Sequence, residues 1–277
     1  MTALRVWVQG VGLLGPGLAS WADAFDVLRG TRAHVSRPTV LPLPARLPAA
    51  ERRRAGAAVK LALAVADAAV AQAQIDPGAL ATVFTSSSGE GSHCHALCET
   101  LATAAPMVSP TRFTNSVHNA AAGCWHIAVA SRASSTSLCA FDGSFGAGLI
   151  EAATSVHCSG QPVLLVASDS PYPEPLNSVR PLPDHFGVAL LLAPAATTRS
   201  LAALTIELLE SPRDASRCDA PSLDALRRTI PAAAALPLLQ ALARGASQRR
   251  VVFGCLPTTG LQVEVVPVAQ PALVTAP

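Results

Sequence analysis

The residues best placed to do chemistry lie between Ser137 and Glu151, in SLCAFDGSFGAGLIE. A buried strand that turns sharply through small residues into a helix presents the turn residue at the helix N-terminus. There the free backbone N–H groups and the helix dipole favour an anion, and many acyl-transfer enzymes hold their nucleophile in such a turn. Asp142 stands at that point, and its neighbours Phe141, Gly143, Ser144 and Phe145 form the rest of the elbow. On spacing alone the ordinary reading of Asp142 is an N-cap, accepting from the N–H of Ser144 or Phe145 with no chemistry required.

Ser144 opens a second possibility. Asp142-Gly-Ser-Phe-Gly146 fits the G-x-S-x-G elbow of serine hydrolases except at its first glycine. Asp169 or Asp184, then His185, follow in the chain order that such hydrolases use. The departure matters because a small residue two before the serine lets strand and helix pack closely, and no HGG-type oxyanion motif precedes it. A serine hydrolase or acyltransferase using Ser144 is the alternative reading.

Other clusters are weaker. His93-Cys94-His95 with Cys98 resembles a metal site, but a structural zinc wants four ligands and no matching Cys/His pair follows at a finger interval. No metal site is therefore expected. His118 and His126 fall on or near one apolar helix and read as satisfied core or interface histidines. His157 and Cys158 are adjacent, so their side chains diverge on a helix. No phosphate loop, dinucleotide fingerprint or H-E-x-x-H is present, and no cofactor is expected.

Composition narrows the function classes. The chain has 277 residues, 50% apolar and 14% charged, with a formal net charge of +2. Twenty basic residues nearly cancel 18 acidic ones, and no basic run exceeds Arg52-Arg53-Arg54, which argues against a nucleic-acid partner. The apolar content excludes a wholly disordered chain. Seven cysteines, an odd number without disulfide-scaffold spacing, suit a reducing cytoplasm. The opening MTALRVWVQGVGLLGPGLASW carries Gln9 and four glycines between Gly10 and Gly17, so it reads as a strand and a Gly-rich turn rather than a secretory leader. Lys60 and Asp67 mark Ala55 to Ile75 as a buried helix rather than a membrane span.

The elements that must position the elbow follow from periodicity and turn residues. A strand at Leu4–Val11 leads to a helix near Ser20–Leu28, a proline-rich link at Pro38–Pro48 and a long helix over about 50–74. A strand at Ala81–Thr85, helices at His93–Thr103 and Ser116–Ala130, and a strand at Ser137–Phe141 come next. A helix from Phe145 to His157 precedes the buried strands Pro162–Ser168 and Phe186–Leu192. Alternating strands and helices imply a layered α/β fold with a parallel or mixed sheet. Past a soft boundary near 195, strands at Leu201–Leu209 and Leu261–Val266 flank a helix at 222–243.

The order of these pieces resembles the N-terminal half of a β-ketoacyl synthase, a condensing enzyme of the thiolase fold. VQGVGLLGPGLASWADAFDVLRGT is similar to the opening of those enzymes. Ser109-Pro110 and Asn119-Ala-Ala-Ala-Gly123-Cys-Trp-His-Ile127 are similar to their S-P segment and N-x-x-A-G-x-x-x-I helix. Nineteen residues after Gly123 comes the elbow, where the synthases carry T-A-C-S-S-G, so Asp142 matches their nucleophilic cysteine. PVLLVASDS stands for their V-M-V-A-G-G strand, and Arg180-Pro181 with FGVALLLAP is a shortened R-P-F…G-E-G-A segment. N-S-V-H-N-A-A-A-G, D-G-S-F-G-A-G-L-I-E-A and P-A-A-A-A-L-P-L-L resemble more closely the chain-length-factor homologues of bacterial aryl polyene and xanthomonadin-type pigment clusters.

What the resemblance implies is a catalytically silent subunit. It would have a ketosynthase-like domain over residues 1–195 that lacks the cysteine and a short α+β region over 196–277 packing on it. It would pair with an active β-ketoacyl synthase and meet acyl carrier protein indirectly. A carboxylate at Asp142 would give a labile anhydride in place of a thioester and repel a malonyl carboxylate. The synthases draw two further histidines from their C-terminal half, whereas the last histidine here is His185. Proteins of this architecture join sheets across a twofold or pseudo-twofold axis. The expected contact comprises the strand residues Ser134, Ser135, Thr136 and Ser137 with His118, Asn119 and Trp125 of the neighbouring helix; packing inside a monomer is the competing reading.

Overall fold

The computed structural model describes residues 3–210, 214–245, 249–256 and 259–268. Its elements run in the order β1 (Leu4–Leu14), α1 (Trp21–Arg29), α2 (Ala49–Arg54), α3 (Ala57–Ala73), β2 (Ala81–Thr85), α4 (Gly91–Leu101), α5 (Pro110–Asn115), α6 (Ala120–Ala128) and β3 (Ser135–Leu138). After the elbow come α7 (Ser144–Ser159), β4 (Val163–Asp169), α8 (Leu176–Val179), β5 (Phe186–Ala193), β6 (Ala202–Leu209), α9 (Pro221–Thr229), α10 (Leu236–Arg244), β7 (Arg249–Leu256) and β8 (Thr259–Pro267).

Eight strands form one mixed sheet in the order β3-β2-β4-β5-β1-β6-β8-β7. β2 pairs in parallel with β3 and β4, while β5 runs antiparallel to both β4 and β1. Strands β6, β8 and β7 continue the same sheet past β1, each antiparallel to its neighbour. The layered α/β architecture expected from the alternation of elements is the one observed.

Both faces of the sheet centre are covered, so β4 and β5 are buried at every position. Side chains alternate with the strand period. Val163, Leu165, Ala167, Val188, Leu190 and Leu192 pack on one face with α1, α7 and α10. Leu164, Val166, Ala189 and Leu191 pack on the other with α3 and α6. Such two-sided burial is why these strands read as continuous apolar runs instead of alternating ones.

Several boundaries differ from expectation for local reasons. The first strand continues to Leu14 instead of turning at the glycines, because α3 lies directly on it. A Cβ at Gly12 would sit 1.8 Å from the Val65 carbonyl oxygen, and one at Gly10 would sit 2.2 Å from that of Ala69. The single helix expected over 50–74 breaks at Ala55–Gly56, where Gly56 lies against the Glu90 carboxylate and the His93 ring. The helix expected from Ser116 starts only at Ala120, because the Ser116 N–H and hydroxyl both turn back to the Phe113 carbonyl and close α5.

The helix expected over 222–243 divides at Ile230–Pro231. Pro231 cannot donate into a helix and forces Ile230 out of helical conformation, to φ −123° and ψ 117°. A short 3-10 segment, Pro231–Ala235, intervenes before α10. Strand β7 lies outside the expected elements: its Arg249-Arg250 start and Gly254 hide a strand that pairs with β8 alone. Among the described residues, no helix is long and apolar enough to cross a membrane.

Candidate functional site

Strand β3 ends at Leu138, three residues before the turn begins, and not at Phe141 as expected. Phe141–Gly143 form a 3-10 turn, and Phe141 takes a left-handed conformation with φ 51°. That turn feeds α7, whose first turn is anchored deeply. Phe145 is fully buried edge-to-face on Phe253 of β7, with ring centroids 5.2 Å apart. Burying such a side chain stabilises the fold by about 1.5–3 kcal/mol, so the position of the elbow is set by the core beneath it.

Asp142 does not cap this helix. Gly143 occupies the N-cap position without a side-chain bond, and the Asp142 carboxylate points outward to the Arg180 guanidinium. The expected cap fails because the 3-10 turn sets Asp142 two residues ahead of the helix. Arg180 also lies over the Phe141 ring, 3.5 Å from its centroid, and 5.6 Å from that of Tyr172. Asp142 is 71% exposed, so the ion pair itself stabilises the fold by no more than about 1 kcal/mol. Its chemical effect is larger than its energetic one: the carboxylate meets a cation already seated on an aromatic face.

Ser144 is inaccessible. It is 1% exposed, accepts from the Ala140 N–H at 3.0 Å, and donates to the Phe141 carbonyl at 2.7 Å with that of Ser86 at 3.1 Å. The hydroxyl is thus spent on holding the turn. The expected acid and histidine are engaged elsewhere as well. Asp169 accepts from the N–H groups of Ser87 (2.7 Å) and Ala232 (2.8 Å). Asp184 accepts from Thr39 and from the N–H of His185, and His185 Nδ1 faces the Ser170 hydroxyl at 3.0 Å. No serine–histidine–acid relay joins these groups, which corrects the hydrolase alternative.

Burial pushes the Asp169 carboxyl above its ordinary value, and the Ser87 and Ala232 donors oppose the rise. Burial also holds the His185 imidazole below its ordinary value, with Asp184 acting the other way. Asp169 thereby ties the end of β4 to the loop after β2 and to the break before α10. The Tyr172 hydroxyl joins the same loop through Ser87, at 2.7 Å. Beside the turn opens a groove of about 510 Å³ between Phe141–Gly143 and Arg228, Ile230, Pro231 and Phe253.

The candidate contact residues gather at one end of the sheet. β3 is the terminal strand there, and His118, Asn119, Ser134 and Ser135 are exposed. The Ser134 carbonyl accepts from Thr82 of β2, and the Leu138 carbonyl from Ser86 just after it. In a parallel ladder this alternation turns the backbone groups of Ser135 and Ser137 away from the sheet. Trp125 does not belong with them: it is fully buried among α3 and sheet residues, because α6 turns it inward, and it supports the surface from behind.

One pairing lies outside every expectation from the sequence. The Cys139 Sγ lies 2.7 Å from His118 Nε2, although the two are 21 residues apart. No local spacing signals it, since the contact exists only because β3 ends beside the start of α6. His126 bonds instead to Thr82 across the sheet edge, at 3.0 Å. Among the described residues no three His, Cys, Asp or Glu side chains converge as metal ligands. His93 faces Glu90, the residue before α4, and His95 faces Glu99 one turn along the same helix.

Comparison with known proteins accords with this architecture. No curated protein sequence matches the chain. Among solved structures, a chain of a ketosynthase (ApeO) in complex with its chain length factor (ApeC) from Xenorhabdus doucetiae is 25% identical. It superposes with a TM-score of 0.69 over 94% of this chain and 99% of that one. The ishigamide ketosynthase/chain length factor (15% identity, TM-score 0.70, 96% and 100% covered) and a beta-ketoacyl synthase from Burkholderia phymatum STM815 (12%, 0.70, 96% and 100%) share the fold. These are thiolase-like structures. The profile of the beta-ketoacyl synthase N-terminal domain matches residues 29–251. The chain therefore belongs to the beta-ketoacyl synthase N-terminal domain family.

Proposed function

We propose that this chain is a noncatalytic, chain-length-factor-type subunit that pairs with an active β-ketoacyl synthase in bacterial polyene or fatty-acid-like biosynthesis. The observation that carries the reading is the Asp142–Arg180 pair at the elbow. The sequence resemblance aligns Asp142 with the nucleophilic cysteine of the synthases. A carboxylate there, already neutralised by Arg180 stacked on Phe141, can neither hold a stable thioester nor leave the position free for one. Residues 186–277 also contain no histidine that could assist decarboxylation.

The subunit is proposed to act in the cytoplasm without a cofactor, and to meet acyl carrier protein through its partner. The surface for that partner is the outer edge of β3 with the exposed start of α6. Unpaired N–H and C=O groups on a terminal strand are ready to extend a second sheet. The Xenorhabdus complex, a ketosynthase with its chain length factor, is a pairing of the same kind.

Co-expression with the active ketosynthase of the same biosynthetic system tests this. The two chains should co-migrate on gel filtration, and product chain length should change when this subunit is exchanged. Ser137→Pro removes an outward-facing N–H and no bond to β2, so it should abolish co-migration while the melting temperature of the free chain stays within a few degrees. Separate migration of the wild-type chains, with product length indifferent to this subunit, would overturn the proposal.

A further inference from the structure

We infer that the arginines gathered where α10 meets β7 form a binding site for a dianionic phosphate group. These two elements and the loop before α9 enclose an open depression of about 240 Å³. Pro237, Gln240 and Arg244, one helical turn apart, form its α10 wall. Arg249 and Arg250 come from the start of β7, and Arg217 comes from the loop. The depression is remote from the proposed partner surface, since β7 and β3 are the two opposite ends of the sheet. It is also distinct from the elbow groove. Of β7, that groove takes Val252, Phe253 and Gly254, whereas this depression takes Arg249, Arg250 and Val251.

Charge points to an anion. Four guanidiniums meet one lining carboxylate, Asp219, which pairs with Arg244, and Glu264 faces Arg250 at 3.7 Å. The Arg217 and Arg249 side chains are exposed and make no ion pair among the described residues. Four cations against two carboxylates leave two positive charges, a match for the charge of about −1.5 to −2 on a phosphate monoester at neutral pH. Gln240 points the same way independently. It is only 5% exposed, lines the depression, and makes no side-chain hydrogen bond among the described residues, so a ligand would supply the partner that a buried amide otherwise lacks. The frame is rigid. The Ser216 N–H donates to the Val252 carbonyl at 2.9 Å, and the Val252 N–H donates to Ser216 Oγ at 2.9 Å. Asp224 accepts from the Cys218 N–H at 3.0 Å, so the backbone is held on both sides of Arg217. Guanidiniums so placed can donate paired N–H bonds to phosphate oxygens, and the concave wall concentrates their field.

Isothermal titration calorimetry of the full-length chain in low-salt buffer tests the site, with phenyl phosphate and inorganic phosphate as probes. One equivalent should bind per chain. Tighter binding of phenyl phosphate would assign the site to a phosphate ester whose organic part lies on Pro237 and Val251, and equal binding would assign it to the free ion. Dimethyl phosphate, a monoanion around the same tetrahedral phosphorus, should bind at least about tenfold more weakly than either. Arg217→Gln and Arg249→Gln should each weaken phenyl phosphate by about tenfold, and Gln240→Leu by about fivefold. Arg53→Gln, at an exposed arginine of α2, should change nothing. The Arg217 and Arg249 variants give up no ion pair, so their melting temperatures should stay within a few degrees of the wild type. Absence of saturable binding to the wild type, or equal affinity for phenyl and dimethyl phosphate, would overturn the proposal, and neither needs a variant to fold. Losses at Arg53→Gln as large as at Arg249→Gln would overturn it as well. None of these results bears on co-migration with a ketosynthase, which tests the pairing separately.

Discussion

The centre of the sheet and its β3 end are built from the same alternation of strand and helix, yet they meet water in opposite ways. Every residue of β4 and β5 is buried, with cores on both faces. No residue of β3 is fully buried, and helices α4 and α5 contain no buried residue either, with Met107, Phe113 and Val117 exposed. Phe113 is 61% exposed and Met107 88%. The difference separates two sources of apolar content. At the centre, burial within the chain explains it fully. Along α4, α5 and the segment between them, large apolar side chains are left in water and contribute little to folding.

Three substitutions would break or sharpen that contrast. The largest effect is expected at the centre. Leu191→Ala removes a fully buried side chain from beneath α3 and should cost about 2–5 kcal/mol of unfolding free energy in urea titration. A cost below about 1 kcal/mol would show a core that collapses around the gap, and the contrast would lose its stable half.

Asp169→Asn tests the link between centre and elbow. The carboxylate uses one oxygen for Ser87 N–H and the other for Ala232 N–H, whereas an amide offers one acceptor and turns an NH₂ toward a donor. A loss of about 1–3 kcal/mol is expected, measured the same way. An unchanged midpoint would mean that the segment from α9 to α10 is held by packing alone.

The smallest effect belongs to α5. Phe113→Ser should change the stability of the free chain by no more than about 0.5 kcal/mol. If it cost as much as Leu191→Ala, the flank would be core after all, and its apolar residues would need no partner.

Legibility follows the range of the interactions. The strand Val163–Asp169 and helix Trp21–Arg29 are readable because apolar runs and caps are local: Ser20 accepts from the Asp23 N–H at 3.1 Å, and Gly30 closes the helix at φ 86°. The break at Pro231 is readable in principle, since proline acts on its own neighbours, but the alanine-rich run around it imitates an unbroken helix. The glycines of β1 imitate a turn because their reason lies in α3, more than fifty residues away. Strand β7 depends on β8 for every pairing, and two arginines at its start mask the pattern.

The elbow shows the same division. Its strand, turn and helix, and the carboxylate at its centre, stand in the order of residues from Ser137 to Glu151. That order, with the motifs on either side, is enough for the family and for the α/β class. What Asp142 does there is not contained in it. Whether it caps a helix or binds a cation depends on Arg180, 38 residues later, and the pairing of Cys139 with His118 depends on where β3 stops relative to α6. Side-chain type and local periodicity are properties of the chain alone. The partner of a side chain is a property of distance in space, and only the packed sheet sets that distance.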